Sequence, residues 1–473
     1  MTHYPPDPTP QPEPPSLRFA TAEGPALVLS NPYRGTLIVG APGSGKTDSL
    51  VRPMAAQLAA YGLAGLTYST AEALSPTETP PGGPVSHRHL DFYHFGRSEK
   101  VNPLHPSLLD SAQDAFYLAS SLLGSLISPA PGPLSLRNNF FTETCASYLA
   151  GIIWYYRQHH PALCTLPHVL ATVQYDDFTH VLSMLSRDED CLALVQSLVT
   201  GVRQGAEKQI ASLVAGLHLD TSALLYPELV WLLYPDEALG EGFSLNLNDP
   251  AHPTQLTITT HPELAGPYAP VITCVIAAAL RQMARPGKLP SYAVLDDAHT
   301  LYLPELVSLS AASRRNELAL VYVLPALAPL ITVYGIDSAQ WILTNLGNHF
   351  FGEPAVLAEA TRLVNYLKSD VFVANALAEN ALMAKDFIAQ PGAFMGQFAA
   401  TGSPVFRRVL RTPAGAPVSA SVSASVSAPA DRPDVSAALS GAMNEKLALV
   451  HRQVAETLGG YPNGLSRENR QGQ

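Results

Sequence analysis

Apolar positions along this chain follow two patterns, and the patterns alternate in blocks. Short, nearly unbroken apolar runs stand at 36–39, 63–68, 291–295 and 318–324, each followed by glycine, acidic or turn-forming residues. Such runs predict strands buried on both faces, as in a parallel sheet. A further strand is expected at 89–95. From about 109 to 219 the period becomes helical, and helices are predicted at 112–126, 139–158, 169–185, 188–199 and 206–219. Strand patterns return at 242–247 and 255–260, joined by the turn Asn248-Asp249-Pro250, with a helix at 270–283 after them. The strand 291–295 is then followed by helix (303–316), strand (318–324), helix (338–346), strand (349–352) and helix (356–366). A hairpin over 394–398 and 405–411 closes the series.

Strands and helices alternating on both sides of a helical block predict an α/β fold, a mainly parallel sheet interrupted by an all-helical insertion. The expected organisation is a proline-rich tail (1–17), the first part of the core (18–108), the helical insertion (109–240), the second part of the core (241–412), a linker (413–432) and a terminal helix with its tail (433–473). Seven prolines in the first sixteen residues predict a disordered, partly extended tail. The segment 75–84, rich in proline and glycine, reads as a surface loop. Val-Ser-Ala recurs three times within 418–428, which reads as a flexible linker. The amphipathic helix at 435–458 beyond it, with Leu439, Met443, Leu447, Val450 and Val454 along its apolar positions, suits docking on its own core as well as on a partner.

Composition narrows the class. At 473 residues, with 47% hydrophobic and 14% charged residues, the chain holds enough apolar material for an extensive interior or for surfaces covered by other subunits. A net charge of −11 argues against a surface that coats nucleic acid throughout, while leaving room for a local basic lining. Cys145, Cys164, Cys191 and Cys274 have no metal-ligand spacing and read as buried thiols of a reducing compartment. The apolar runs near 148–156 and 271–280 are too short to span a bilayer, so a soluble chain is expected. The scattered histidines form no HxxxH pair, and there is no Gly-x-Ser-x-Gly elbow.

The chemistry concentrates in Gly40-Ala-Pro-Gly43-Ser44-Gly45-Lys46-Thr47, which follows the apolar strand 36–39 and opens a helix predicted to about residue 61. Strand, glycine loop, lysine and hydroxyl in this order form a phosphate-binding P-loop. The loop glycines allow backbone N–H groups to surround phosphates, Lys46 reaches the terminal phosphates of ATP, and the Thr47 hydroxyl suits Mg²⁺. A P-loop needs acidic residues at the end of a neighbouring strand, and Asp296 and Asp297 directly after 291–295 fit. Asp296 is assigned to the metal and Asp297 to activation of the attacking water; the competing account is a pair of helix-capping acids. Arg314 and Arg315 end the next helix, where arginines commonly complement the helix dipole. A phosphate-sensing arginine reaching a neighbouring subunit is the alternative.

Taken together, residues 18–412 resemble the type IV coupling proteins, the conjugative DNA-transfer ATPases, and especially their TraG and MobC-like branch. The likeness rests on Asn31-Pro-Tyr-Arg-Gly leading into the P-loop, on 98–104, on 244–253 with 255–262, on Leu-Pro-Ser-Tyr-Ala-Val-Leu-Asp-Asp-Ala-His-Thr-Leu-Tyr at 289–302, and on 311–316 with Tyr334-Gly335. The resemblance implies a RecA-like motor core with an all-helical insertion, assembled as a hexamer around DNA. It implies ATP and Mg²⁺ as cofactors, with single-stranded DNA, a relaxase and type IV secretion components as partners. It also implies a cytoplasmic protein held peripherally at the inner membrane through those partners. In that family Arg314 takes the place of an arginine finger.

The chain departs from the pattern in four places. Asp297 stands where the family commonly has glutamate, and Pro325 stands where a γ-phosphate-sensing glutamine is expected. Ser69, Thr70 and Ala71 replace the charged residues that usually follow the second strand, and the residues ahead of 18 do not read as the family's membrane-spanning N-terminal region, so direct anchorage is not expected from them. Two functions from different classes therefore remain open at this point: an ATPase that moves or recruits DNA, and a hydrolysis-deficient nucleotide-binding scaffold that recruits relaxase or secretion substrates. A monomeric P-loop enzyme unrelated to DNA is the third.

Overall fold

The computed structural model describes residues 14–70, 85–126, 135–304, 306–354, 391–399, 406–411 and 436–459. The expected tail at its first thirteen residues, the loop at 75–84, the helix at 356–366 and the linker at 413–432 lie outside the described residues.

Seven parallel strands carry the architecture: β3 (Thr36–Val39), β4 (Ala64–Ser69), β5 (Ser86–Asp91), β6 (Thr254–Thr259), β7 (Ser291–Leu295), β8 (Leu318–Leu324) and β9 (Asn348–Phe351). With the antiparallel additions β10 (Ala393–Gln397) and β11 (Phe406–Val409), their spatial order is β11-β10-β9-β3-β8-β7-β4-β6-β5. A small pair, β1 (Leu17–Phe19) and β2 (Leu27–Leu29), lies apart from this sheet. The continuous apolar runs have a direct cause, since successive side chains enter two different cores. Leu37, Ala293, Leu295, Leu318 and Leu320 pack on the face that carries the helical block. Ile38, Tyr292, Val294, Ala319 and Val321 pack on the opposite face with α1 (Arg52–Ala60) and the β1–β2 pair.

Between β5 and β6 the chain builds α2 (Ala112–Leu126), α3 (Ser135–His159), α4 (Leu166–Val173), α5 (Phe178–Leu185), α6 (Glu189–Arg203), α7 (Glu207–Ser222) and α8 (Pro227–Leu233). The helix expected over 169–185 is two helices. Asp177 accepts hydrogen bonds from the Thr179 and His180 amides and so caps a new start. The stretch 242–247 is not a strand; Phe243 makes one isolated bridge to Val101, and the alternation there reflects the burial of Leu245 and Leu247 in the core. α9 begins at Pro262 rather than at 270, capped by the His261 side chain, and runs to Met283 through two prolines. Its length and composition would suit a membrane span, yet most of it is buried against α2 and the sheet. Arg281 on α9 donates to Asp114 on α2 at 2.5 Å, and Asp114 also accepts from the Asp110 and Ser111 amides. After β7 come α10 (Leu306–Ala312), α11 (Leu327–Tyr334), which the sequence pattern did not suggest, and α12 (Ile336–Asn345).

The terminal helix α13 (Ala437–Thr457) docks on α4 and α8 of its own chain. Met443, Val450, Val454 and Leu458 are buried there. Polar groups fix its register: the Gln453 side-chain oxygen accepts from His168 Nε2 at 3.0 Å and from the Tyr234 hydroxyl at 3.3 Å. Burial brings His168 down to about 4, so its ring is neutral and donates from one nitrogen only. Lys446 lies 4.8 Å from the Tyr234 ring centroid and 3.8 Å from the Glu241 carboxylate. Val450→Asp places a charge in this buried seam at a cost of more than about 3 kcal/mol. The expected outcome is release of α13, read as rapid proteolytic loss of the C-terminal segment from a core that stays folded; an unchanged digestion pattern would count against the docking described.

Candidate nucleotide site

The P-loop leaves the carboxyl end of β3 in the middle of the sheet, and its path is fixed by both neighbouring strands. The Gly40 amide donates to the Leu324 carbonyl at the end of β8, and the Ala41 amide donates to Glu353 just past β9. Gly43 and Gly45 have φ of +80° and +83°, a region that side chains with a Cβ rarely enter. A Cβ on Gly45 would also stand 2.7 Å from the Gly392 amide nitrogen, which itself donates to Ser44. The glycines therefore serve both the turn and the close approach of a second backbone segment. The Ser44 hydroxyl is buried without a hydrogen-bond partner among the described residues.

Lys46 folds back over the loop and donates to the carbonyls of Gly40 at 2.5 Å and Ala41 at 3.0 Å. Burial lowers its pKa, against the opposing pull of Asp296 and Asp297. Thr47 opens the following helix, whose first turn over Thr47–Val51 is of the wide π type, and its hydroxyl donates to Asp296 Oδ2 at 3.0 Å. The loop and the acidic strand thus meet, although β8 lies between β3 and β7 in the sheet.

Asp296 is 3% exposed. Its carboxyl is pushed up to about 6, first by burial and then by the neighbouring Asp297 charge, with the Thr47 hydrogen bond and Lys46 acting the other way. Asp297 adopts the left-handed conformation at φ +53°, which aspartate tolerates better than most residues, and its amide donates to Asp296 Oδ1 at 3.1 Å. The Thr70 hydroxyl donates to Asp297 Oδ2, so a residue just after β4 holds the second carboxylate in place. In the sequence Thr70 stands out only as a departure from the charged residues expected after the second strand. Only the adjacency of β4 and β7 reveals its part.

The remaining residues singled out in the sequence fall apart. Pro325 follows Leu324 at the loop, where it has neither an amide hydrogen nor a side-chain donor to offer. Arg314 is exposed in the turn between α10 and β8, at the amino end of that strand. A seven-residue strand spans about 23 Å, so Arg314 does not join the loop of its own chain.

A buried carboxylate with a raised pKa costs stability above that pKa. The folded state holds the proton more tightly than the unfolded chain, so stability falls as pH rises through the interval from about 4 to about 6. Asp296→Asn removes this penalty while its carbonyl oxygen still accepts from the Asp297 amide and its NH₂ group donates to the Thr47 hydroxyl, giving a net gain of about 2 kcal/mol. In the absence of nucleotide and Mg²⁺, the variant should melt a few degrees higher than the parent at pH 7.5, and the gap should close as pH falls toward 4. A melting point at or below the parent's at pH 7.5 would contradict this account of the site.

No protein-family model matches the sequence, and no curated protein matches it in sequence. Solved structures do match in fold. The bacterial conjugative coupling protein TrwBdeltaN70, in a trigonal form with sulphate, aligns with a TM-score of 0.60 at 14% identity, covering 86% of this chain and 96% of that one. The plasmid coupling protein TrwB in complex with the ATP analogue ADPNP gives 0.61 at 16% identity, covering 80% and 86%. VirB4 of Thermoanaerobacter pseudethanolicus gives 0.51 at 12% identity, covering 84% and 96%. At these identities the likeness is one of architecture: the chain has the α/β P-loop NTPase fold of the TrwB coupling protein and VirB4.

Proposed function

We propose that this chain is a coupling-protein-like ATPase that binds ATP with Mg²⁺ and moves or recruits DNA, in complex with a relaxase, for bacterial conjugation or type IV secretion. The observation that carries the reading is the hydrogen bond from Thr47 to buried Asp296 beneath an intact glycine loop. That pair is the arrangement a magnesium shell needs, with hydroxyl and carboxylate side by side at the mouth of a phosphate cradle. The likeness to TrwB, solved with ADP and Mg²⁺ and with ADPNP, supports the same cofactors here.

In this reading the loop amides from Gly40 to Thr47 surround the phosphates, with Gly43, Ser44 and Gly45 giving the close approach. Lys46 leaves its two carbonyl partners for the terminal phosphates. Thr47 and Asp296 hold Mg²⁺, and Asp297 orients and deprotonates the attacking water. MgATP supplies the phosphoanhydride whose cleavage drives movement. Arg314, remote from its own loop, acts on the nucleotide of an adjacent copy, which calls for a ring, most simply a hexamer. Residues 18–108 and 241–412 form the motor core, and 109–240 form the helical unit on one face of the sheet. The protein works in the cytoplasm and reaches the inner membrane through its partners.

The second reading, a scaffold that binds nucleotide without turning it over, draws on Pro325 and on the tethering of Asp297 by Thr70. Steady-state ATPase rates with and without single-stranded DNA separate the two. The motor reading expects DNA-stimulated turnover, lost by about 10²-fold or more in Lys46→Ala and by about 10³-fold in Arg314→Ala, the latter with nucleotide affinity unchanged. Tight nucleotide binding with no turnover above the Lys46→Ala background would establish the scaffold instead.

A further inference from the structure

Asp297 is joined to the phosphate loop through its neighbour, because the Asp296 carboxyl accepts from the Asp297 amide with one oxygen and from the Thr47 hydroxyl with the other. Its own orientation is set from a different strand. The Thr70 hydroxyl donates to Asp297 Oδ2. Thr70 is buried, and the backbone leading to it is fixed on both sides. On the β7 side the Asp296 amide donates to the Tyr68 carbonyl at 2.9 Å, and on the β6 side the Thr260 amide donates to the Ser69 carbonyl at 3.3 Å. A second path from β4 reaches the same residue. The Tyr68 hydroxyl lies 3.2 Å from the Thr300 hydroxyl, which donates to the Asp297 carbonyl at 3.1 Å, and the Thr300 amide donates to that carbonyl at 3.2 Å.

The end of β4 thus acts on both parts of Asp297, Thr70 on the carboxylate and Tyr68, through Thr300, on the backbone. An aspartate side chain has two torsions and ordinarily moves among several rotamers. Here the backbone is locked at φ +53°, and any turn of the carboxylate breaks the bond from Thr70. Oδ2 is engaged, while Oδ1 makes no hydrogen bond among the described residues and keeps its lone pairs for a water. A group that must meet a reacting atom gains most of its effect from being held in one orientation, and a rigid neighbour is what holds it.

We infer that Thr70 is the positioning residue for Asp297: its hydroxyl fixes the carboxylate so that Oδ1 is presented to the attacking water. The inference rests on the ATPase reading above and adds to it a residue on β4 that acts only through this carboxylate.

Two measurements test it, the first without nucleotide or Mg²⁺. Melting points are compared for Thr70→Val, Asp297→Gly and the double variant, glycine being chosen because it accepts the left-handed backbone of Asp297. Thr70→Val should lower the melting point by about 2 °C when Asp297 is present and should not lower it in Asp297→Gly, where the partner is already gone. Equal losses in both backgrounds would overturn the contact and the inference with it. The second measurement is steady-state ATP hydrolysis with single-stranded DNA. Thr70→Val, which keeps the side chain's shape, should lower kcat by about tenfold or more and leave KM within about twofold, and Thr70→Ser should stay within about threefold of the parent. If Thr70→Val turns over as fast as the parent, or faster, the hydroxyl does not orient the carboxylate for the reaction and the inference fails while the ATPase reading stands. A parent with no turnover above the Lys46→Ala background removes that reading and the inference together.

Discussion

The hydrogen bond between Thr47 and Asp296 joins residues 249 positions apart and is the constraint around which the molecule is arranged. It forms only if β3 and β7 run in the same direction and end at the same edge. One strand, β8, must also stand between them to set their spacing. Parallel strands require crossovers on the sheet faces, and those crossovers bury the strands on both sides. The two cores follow from this. Ile38 and Val321 enter one and Leu37 and Leu320 the other, because the period of a strand leaves no alternative.

The same edge is where the fold tolerates its unfavourable features. Asp296 is buried beside a second carboxylate, Asp297 occupies a left-handed conformation, and Lys46 is drawn away from water. Such features are over-determined by their surroundings rather than accidental. The Asp296 amide bonds to Tyr68 and continues the β7–β4 ladder, Thr70 anchors Asp297, and Gly392 backs the loop. Far from this edge, α13 closes over α4 and α8 with a neutral buried histidine as its central polar contact. The helix has become part of the helical block, although the chain between 412 and 435 separates it from the last strand.

The parts of this arrangement legible in the sequence were those governed by local rules. Buried strands betray themselves by unbroken apolar runs, and the helix at 112–126 was predictable to the residue because its apolar positions recur at helical spacing, with Asp114 and Ser121 buried among them. The loop announced itself by its glycines and lysine. What remained hidden depended on neighbours that sequence order does not supply. The apolar alternation at 242–247 looks like a strand and is buried like one, yet it has no open ladder to join. The helical period across 169–185 runs straight through a break that the Asp177 cap imposes. Thr70, which the sequence marks only as a departure from the expected charged residues, matters because β4 and β7 lie side by side and end together.

The unfavourable features also suggest why binding and stability are linked in this fold. A buried carboxylate near its own like-charged neighbour is penalised as long as nothing positive faces it, and a divalent cation reverses that sign. On the proposed reading, a metal-bound nucleotide would therefore return the energy that the two carboxylates hold against folding, and binding at the loop would stabilise the sheet edge by more than its contacts alone provide. Lys46 would respond in the opposite sense, since its two carbonyl partners are ones that phosphate oxygens could replace at little loss. On that reading, the discrimination between binding and turnover would fall to the turn after β7. Asp297 is held there by its own conformation and by Thr70, while Pro325 has no donor to offer.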